Sequence, residues 1–339
     1  MLTNAKYVGE FERDCADFLD AENVVAVASG TAALTLIFKC LKLKGEVILP
    51  SFTFTSDASA LLWCGLTPVF ADINPKTFNL DPDLIQEKIT ARTSAILATH
   101  VFGNPCEMEK IEKIAKKNNL KVIYDAAHAF GSTYKGRSVF RFGDASIVSF
   151  TPTKVISTAE GGLVIVKDKN LARILKLGRN NGDSFNREEE FLGITARMNE
   201  FSAILGIEGL KILNINLKRR LKMVNLYKKE LAGVPGISFQ EVAPDCLSVY
   251  KDFTILVDEK KFGRSRDEVL KELQKRKIEC KVYFYPPLHK KNICFKDRDS
   301  FLPQTDYLSS NIMSLPLYSH VPERYVIKVC SVIKKLGKK

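Results

Sequence analysis

The run Ser149-Phe-Thr-Pro-Thr-Lys154-Val-Ile-Ser-Thr-Ala-Glu160-Gly-Gly162 sets one lysine between two apolar, strand-like runs, Ala145–Ser149 and Leu163–Val166. An ammonium among core strands is costly unless it is paired or neutral. A solvated loop lysine is the commoner outcome for such a residue. The alternative is an amine kept reactive toward a carbonyl by its surroundings. A second stretch tips the balance, Leu120-Lys-Val-Ile-Tyr-Asp125-Ala-Ala-His128, where an aspartate ends a buried strand and a histidine follows three residues later. A strand-end Asp125 upstream of a strand-end Lys154 supplies what a pyridoxal phosphate site needs. The carboxylate serves the pyridine nitrogen and the amine serves the aldehyde.

These residues need a scaffold, and the chain spells one out. Short apolar runs at Val24–Ala28, Glu46–Leu49, Pro68–Ile73, Thr93–Val101, Lys121–Tyr124, Ala145–Phe150 and Leu163–Val166 alternate with helical patterns at 31–43, 55–65, 82–89 and 107–118. The alternation predicts an α/β fold with a mostly parallel sheet flanked by helices. The runs are apolar throughout, as burial on both faces requires. Further helices are expected at 168–180 and 197–232, with a polar loop at Gly182–Gly193 between them. After Gly233-Val-Pro-Gly236 come an expected strand (Tyr250–Val257), helix (Ser265–Lys277), strand (Cys280–Phe284) and helix (Glu323–Leu336). This divides the chain into a large domain, 1–235, and a small C-terminal α/β domain, 236–339.

Ligands of open α/β sheets sit at the carboxyl ends of strands, and three stretches lie there. Ser29-Gly-Thr31-Ala32-Ala33 joins the first strand to the first helix, where Gly30 permits close approach and the helix N-terminus offers N–H groups to an anion. Pro50-Ser-Phe-Thr-Phe54-Thr follows the second strand, and an aromatic side chain there can cover a flat ring or simply fill the core. Asp125–His128 is the third.

Composition narrows the classes. Hydrophobic residues make up 45% and charged residues 27% of the 339, which suits a globular enzyme. No apolar run reaches membrane-spanning length and the N-terminus lacks an apolar signal core, so a cytoplasmic location is expected. The eight cysteines are scattered without CxxC or Cys/His ligand spacing, which argues against a metal site and a disulfide framework. The net charge of +12 suits anionic small molecules as well as nucleic acid, but no nucleic-acid motif accompanies it.

The motifs SGTAAL (29–34), LPSFTF (49–54), GLTPVFADI (65–73), DAAHAFG (125–131), GRSVFRFGDASIVSFTPTK (136–154), EGG (160–162), ARMNE (196–200) and YFYPPLH (283–289) run in one order over nearly the whole chain. Together they resemble the DegT/DnrJ/StrS nucleotide-sugar aminotransferases, which are fold-type I pyridoxal phosphate enzymes. The resemblance is greatest to members that aminate C4 of a dTDP-linked 4-keto-6-deoxyhexose, with glutamate as the usual donor. It implies that Lys154 holds the cofactor aldehyde and later moves the proton. Asp125 partners the pyridine nitrogen and His128 lies near the phenolic oxygen. Phe54 stacks on the ring, and Thr31, Ala32 and Ser149 bind the phosphate. It implies as partners a nucleotide sugar, an amino-acid donor and a second subunit in a homodimer with shared sites.

Two departures from the family pattern carry expectations of their own. Thr195 stands where members usually carry an Asn that reaches the neighbouring subunit's phosphate; a threonine keeps one donor with less reach. The chain also begins close to Leu2-Thr-Asn4, where relatives have a leading segment. A catalytically impaired homologue with a regulatory role is therefore an alternative reading. A sugar dehydratase of the same fold is another, but those relatives carry His in place of the lysine, and Lys154 argues against it.

Overall fold

In this computed structural model the described residues are 2–183, 191–292 and 300–337. The first part runs α1 (Lys6–Leu19), β1 (Asn23–Val27), α2 (Gly30–Cys40), β2 (Glu46–Pro50), α3 (Thr55–Trp63), β3 (Thr67–Ala71), β4 (Thr93–Thr99), α4 (Met108–Lys117), β5 (Lys121–Asp125), the ribbon β6 (Thr133–Tyr134) and β7 (Arg137–Ser138), β8 (Ala145–Ser149), β9 (Gly162–Val166), α5 (Lys169–Gly178) and α6 (Glu200–Leu231). Seven strands form one sheet in the order β1-β9-β8-β5-β4-β2-β3. Only β9 runs antiparallel to its neighbours; the other pairs are parallel. β2, β8 and β9 are buried at every position, because helices cover both faces. One core lies on each face, with Phe11, Tyr124, Phe130 and Phe150 in one and Leu34, Phe38, Leu49 and Leu97 in the other.

Strand register sets the site. Thr99 pairs with Asp125, and Asp125 with Ile147, so the carboxyl ends of β4, β5 and β8 stop at one level. The chain leaves each of them into a loop on the same edge of the sheet.

The second part runs β10 (Ile237–Phe239), β11 (Phe253–Val257), α7 (Glu259–Phe262), α8 (Arg266–Lys275), α9 (Pro303–Asn311), β12 (Ile312–Leu315) and α10 (Glu323–Leu336). Its three strands form an antiparallel sheet, β10-β11-β12. α8 opens on a reciprocal cap in which Ser265 and Glu268 each satisfy the other's backbone N–H, the arrangement that fixes a helix start. The last turns of α6, through Met223, Val224, Tyr227 and Leu231, bury themselves in this second core.

Several expectations change here. The helix expected at 82–89 is two 3-10 turns, Pro82–Leu84 and Gln86–Lys88. The strand expected at Cys280–Phe284 keeps a single bridge, Lys281 to Ser314. Beyond it the chain turns away and delivers Tyr283 and Phe284 to the active-site cavity, so β12 takes the third place in the small sheet. An unexpected helix, α1, buries Val8, Phe11, Cys15 and Leu19. The Glu200 carboxylate accepts the N–H groups of Ala5 and Tyr7 at 2.8 and 2.7 Å, capping α1 from the start of α6. The apolar residues at and just before the start of α6 divide between core and surface. Met198 and Ile207 are buried, whereas Phe201, Ile204 and Leu205 are exposed. The inward face uses Ala203 and Gly206 instead, because Phe11 packs so close that a Cβ on Gly206 would meet its ring at 2.4 Å. Most of the loop at Gly182–Gly193 lies outside the described residues.

Candidate active site

A cavity of about 210 Å³ opens at the carboxyl ends of β2, β4, β5 and β8, and Lys154, Asp125 and His128 all line it. Lys154 follows β8 in a tight loop in which its own N–H donates to the Thr151 carbonyl at 3.0 Å. Asp125 is the last residue of β5 and is buried. Its Oδ1 accepts the Ala127 N–H at 2.8 Å, which turns the chain and fixes the carboxyl. His128 is also buried, and its ring is stacked on those of Phe102 and Phe284.

Burial sets the charges. The Lys154 amine is pushed down to about 8, first by burial and then by the positive charge of Lys251, against the opposing pull of Asp125, Asp252 and Asp57. A usable fraction of the amine is therefore unprotonated near neutrality. Burial raises the Asp125 carboxyl, while the Ala127 N–H and the charge of Lys154 act in the other direction. Burial pushes His128 well below the usual imidazole range, helped by Lys154 and Lys251. It is thus neutral, and because its Nδ1 accepts the Phe102 N–H at 3.3 Å, its proton resides on Nε2 as a hydrogen-bond donor.

The start of α2 forms a second wall. Ser29 caps the helix by accepting the Ala32 N–H at 3.1 Å, which leaves the Gly30 and Thr31 N–H groups without a helical partner. Ser29, Gly30, Thr31 and Ser149 line the cavity; Ala32 sits in the same turn but not on the wall. Glycine is needed at 30, since a Cβ would lie 2.9 Å from that of Ser149. Helix N-terminus and serine hydroxyl are held together by this contact, in the manner of a phosphate cradle. Phe54 lines the cavity but leaves 57% of its surface exposed, so a flat face remains for a ring. Thr195 is elsewhere: it is exposed and its Oγ1 donates to Asn181 Oδ1 at 2.8 Å, outside the cavity of its own chain.

Sequence reasoning missed Lys251 on the wall and Asp57 behind it. Lys251 is buried, paired with Asp252 at 2.7 Å and stacked 4.8 Å from the Tyr283 ring centre. Asp57 lies on α3 behind Thr53 and Thr99, which do line the cavity. It is fully buried, and its Oδ2 accepts the hydroxyls of Thr53 at 2.7 Å and Thr99 at 3.1 Å. A lysine before a strand and an aspartate inside a helix read as ordinary surface residues; only long-range packing brings them here. His289, in the YFYPPLH run, ties this later stretch of the chain to the Pro50–Phe54 turn through Ser51 Oγ at 2.7 Å.

The mixed sheet with a lysine, an aspartate and a helix N-terminus around one cavity defines a pyridoxal phosphate-dependent transferase of fold-type I. The chain belongs to the DegT/DnrJ/EryC1/StrS aminotransferase family, whose model matches residues 1–334. It is 34% identical over 347 residues to dTDP-4-amino-4,6-dideoxy-D-glucose transaminase of Escherichia coli, covering 100% of this chain and 91% of that one. It is 35% identical over 286 residues to GDP-perosamine synthase of Caulobacter vibrioides, covering 83% and 77%. Among solved structures it resembles DesI, determined in the presence of its TDP-sugar product, with TM-score 0.94, 33% identity and coverage of 98% and 86%. The protein is a nucleotide-sugar aminotransferase that depends on pyridoxal phosphate. The cavity fits that cofactor. It offers an amine near its reactive range, a buried carboxyl and an anion cradle closed by the Gly30–Ser149 contact.

Proposed function

We propose that the protein transfers the amino group of glutamate to C4 of dTDP-4-keto-6-deoxyglucose, serving amino-sugar or polysaccharide biosynthesis. The observation that carries the assignment of roles is the meeting of Lys154 and Asp125 on one cavity, with the lysine amine held at about 8. When bound, pyridoxal phosphate supplies an electron sink for the pair left behind when a proton departs. Lys154 Nζ would hold the aldehyde and, once released by an incoming amine, would move the proton. An ionised Asp125 would hold a proton on the ring nitrogen, and His128 Nε2 would be the donor for the phenolic oxygen. Ser149 and the Gly30 and Thr31 end of α2, with Ala32 in the same turn, would hold the phosphate, and Phe54 would cover the ring. Lys154 stands against a dehydratase.

The sugar and the carbon rest on overall similarity to the E. coli transaminase, and the donor on the resemblance to the family. The similar identity to a GDP-perosamine synthase makes the nucleotide the first thing to test. The purified protein should be offered a panel of nucleotide-linked 3-keto and 4-keto sugars with glutamate, and the products identified by mass and NMR. A 4-amino product from the dTDP sugar is expected. Preference for a GDP sugar or for a 3-keto carbon overturns the finer assignment while leaving the family intact.

The same reading makes the protein a cytoplasmic homodimer of two-domain subunits, 1–235 and 236–339. Among the described residues no helix is long and apolar enough to cross a membrane. Phe201, Ile204, Leu205, Ile212 and Ile215 form an exposed apolar stripe along α6, of a kind that monomers seldom leave uncovered. Thr195 precedes that stripe and lies outside its own cavity, a position suited to a reciprocal contact across a two-fold axis.

A further inference from the structure

Asp57 has no place in the roles above, yet it is fully buried beside the carboxyl that matters most. Thr99, whose hydroxyl lies 3.1 Å from Asp57 Oδ2, is the register partner of Asp125. Oδ2 is satisfied by the hydroxyls of Thr53 and Thr99, but Oδ1 is buried with no donor to accept from among the described residues. The acid beside it is Asp125, whose negative charge bears directly on Asp57. An ionised Asp57 would leave Oδ1 unpartnered and set two like charges together, both costly in a buried site. A proton on Oδ1 removes both costs, because the acid becomes the donor that Asp125 accepts.

We propose that Asp57 is a positioning residue held as the neutral acid, donating its Oδ1 proton to Asp125 so that the two carboxyls present one negative charge to the cofactor's ring nitrogen. Other charged and titratable groups on the cavity wall are His128 after β5, Lys154 and Glu160 between β8 and β9, Lys251 before β11, and Tyr283. Among the described residues the side chains that donate to Asp57 are the two threonine hydroxyls, and the charge that bears on it is that of Asp125. Burial and the charge of Asp125 both hold Asp57 well above the ordinary carboxyl range. The bond it gives tends to lower Asp125, against the effect of burial. Asp57 thus keeps Asp125 ionised in a pocket that would otherwise favour its protonation. With both acids neutral, the ring nitrogen would lose its counter-ion; with both ionised, the pocket would carry a surplus charge. Sharing one proton keeps the count at one.

The inference rests on Asp125 as the partner of the ring nitrogen, and the test separates the two. Infrared spectra of the cofactor-free protein at neutral pH should show the carbonyl band of a buried protonated carboxyl. Asp57→Asn should abolish it, and no cofactor is needed for this arm. Cofactor titration by fluorescence forms the second arm. Asp57→Asn keeps a donor at the Oδ1 position and should bind pyridoxal phosphate within about threefold of the parent, while Asp57→Ala should bind it roughly tenfold to a hundredfold more weakly, the range for losing a hydrogen bond to a charged group. Retention of the band in Asp57→Asn, or its absence from the parent, overturns the proposal. So does weakening in Asp57→Asn equal to that in Asp57→Ala, or no weakening in either. If Asp57→Ala fails to fold, the band and Asp57→Asn still decide. Asp125→Asn serves as the control: unchanged cofactor binding and spectrum in that variant would sink the role of Asp125 itself, whatever the infrared result.

Discussion

Replacing Lys154 with methionine should stabilise the cofactor-free protein at neutral pH. The drop of its amine from 10.5 to about 8 on folding corresponds to roughly 3 kcal/mol of penalty for the charged form. Lys154 is not fully enclosed, so solvent relaxation reduces this to roughly 1.5–3 kcal/mol. The sign follows from proton counts. Below pH 8 both folded and unfolded chains carry the proton, and the folded state bears the whole penalty. Between pH 8 and 10.5 the folded chain releases the proton while the unfolded chain keeps it, so stability rises with pH. Above 10.5 the penalty is gone. Methionine has a similar length and no charge, so its variant should be the more stable at pH 7 by this amount and should converge with the parent near pH 10.5. Urea unfolding of the two cofactor-free proteins from pH 6 to 10.5 measures this as a difference, so that the other titrating groups cancel. Parallel curves with a constant offset, or a parent more stable at pH 7, would refute the claim that the fold strains this amine. A residue whose removal stabilises the chain is one retained for its chemistry.

Asp125→Asn should fold, because the amide oxygen can still accept the Ala127 N–H. It should lose orders of magnitude in turnover, and near-native rates would reduce Asp125 to a turn-former. Gly30→Ala should cost roughly 1–3 kcal/mol and weaken cofactor binding, since the new Cβ meets Ser149 at 2.9 Å; thermal unfolding and titration check both halves, and an innocuous alanine would remove the cradle argument. Phe201→Glu with Leu205→Glu should yield monomers by light scattering and a loss of activity. A monomeric double variant with full activity contradicts shared sites. In the dimer, Thr195→Asn should tighten cofactor binding and Thr195→Ala should loosen it modestly, whereas equal affinities would remove Thr195 from the partner's phosphate.

The sequence by itself determined the sheet and the two poles of the site. Its strands are short runs buried on both faces, and such runs are recognisable because nearly every residue must be apolar. Lys154 and Asp125 stood out because Asp125 ends such a run and Lys154 lies in the loop between two of them, on the edge where open sheets bind ligands. α1 was also legible in principle, since Val8, Phe11, Cys15 and Leu19 fall at helical spacing. Tertiary structure alone decided the rest. Cys280–Phe284 has the composition of a strand, yet it meets β12 at one bridge alone, Lys281 to Ser314, and the chain then sends Tyr283 and Phe284 into the cavity. Phe201, Ile204 and Leu205 fit an inward helix face, but Phe11 occupies the space beside Gly206 and turns that stripe outward. Asp57 and Lys251 carry no local mark, for their meaning is a matter of neighbours. Asp57 comes to Asp125 through the pairing of β2 with β4 and of β4 with β5, and Lys251 comes to Lys154 from a later stretch of the chain, onto the same cavity wall. A charge in water is unremarkable, and only its removal from water beside another charge turns it into chemistry.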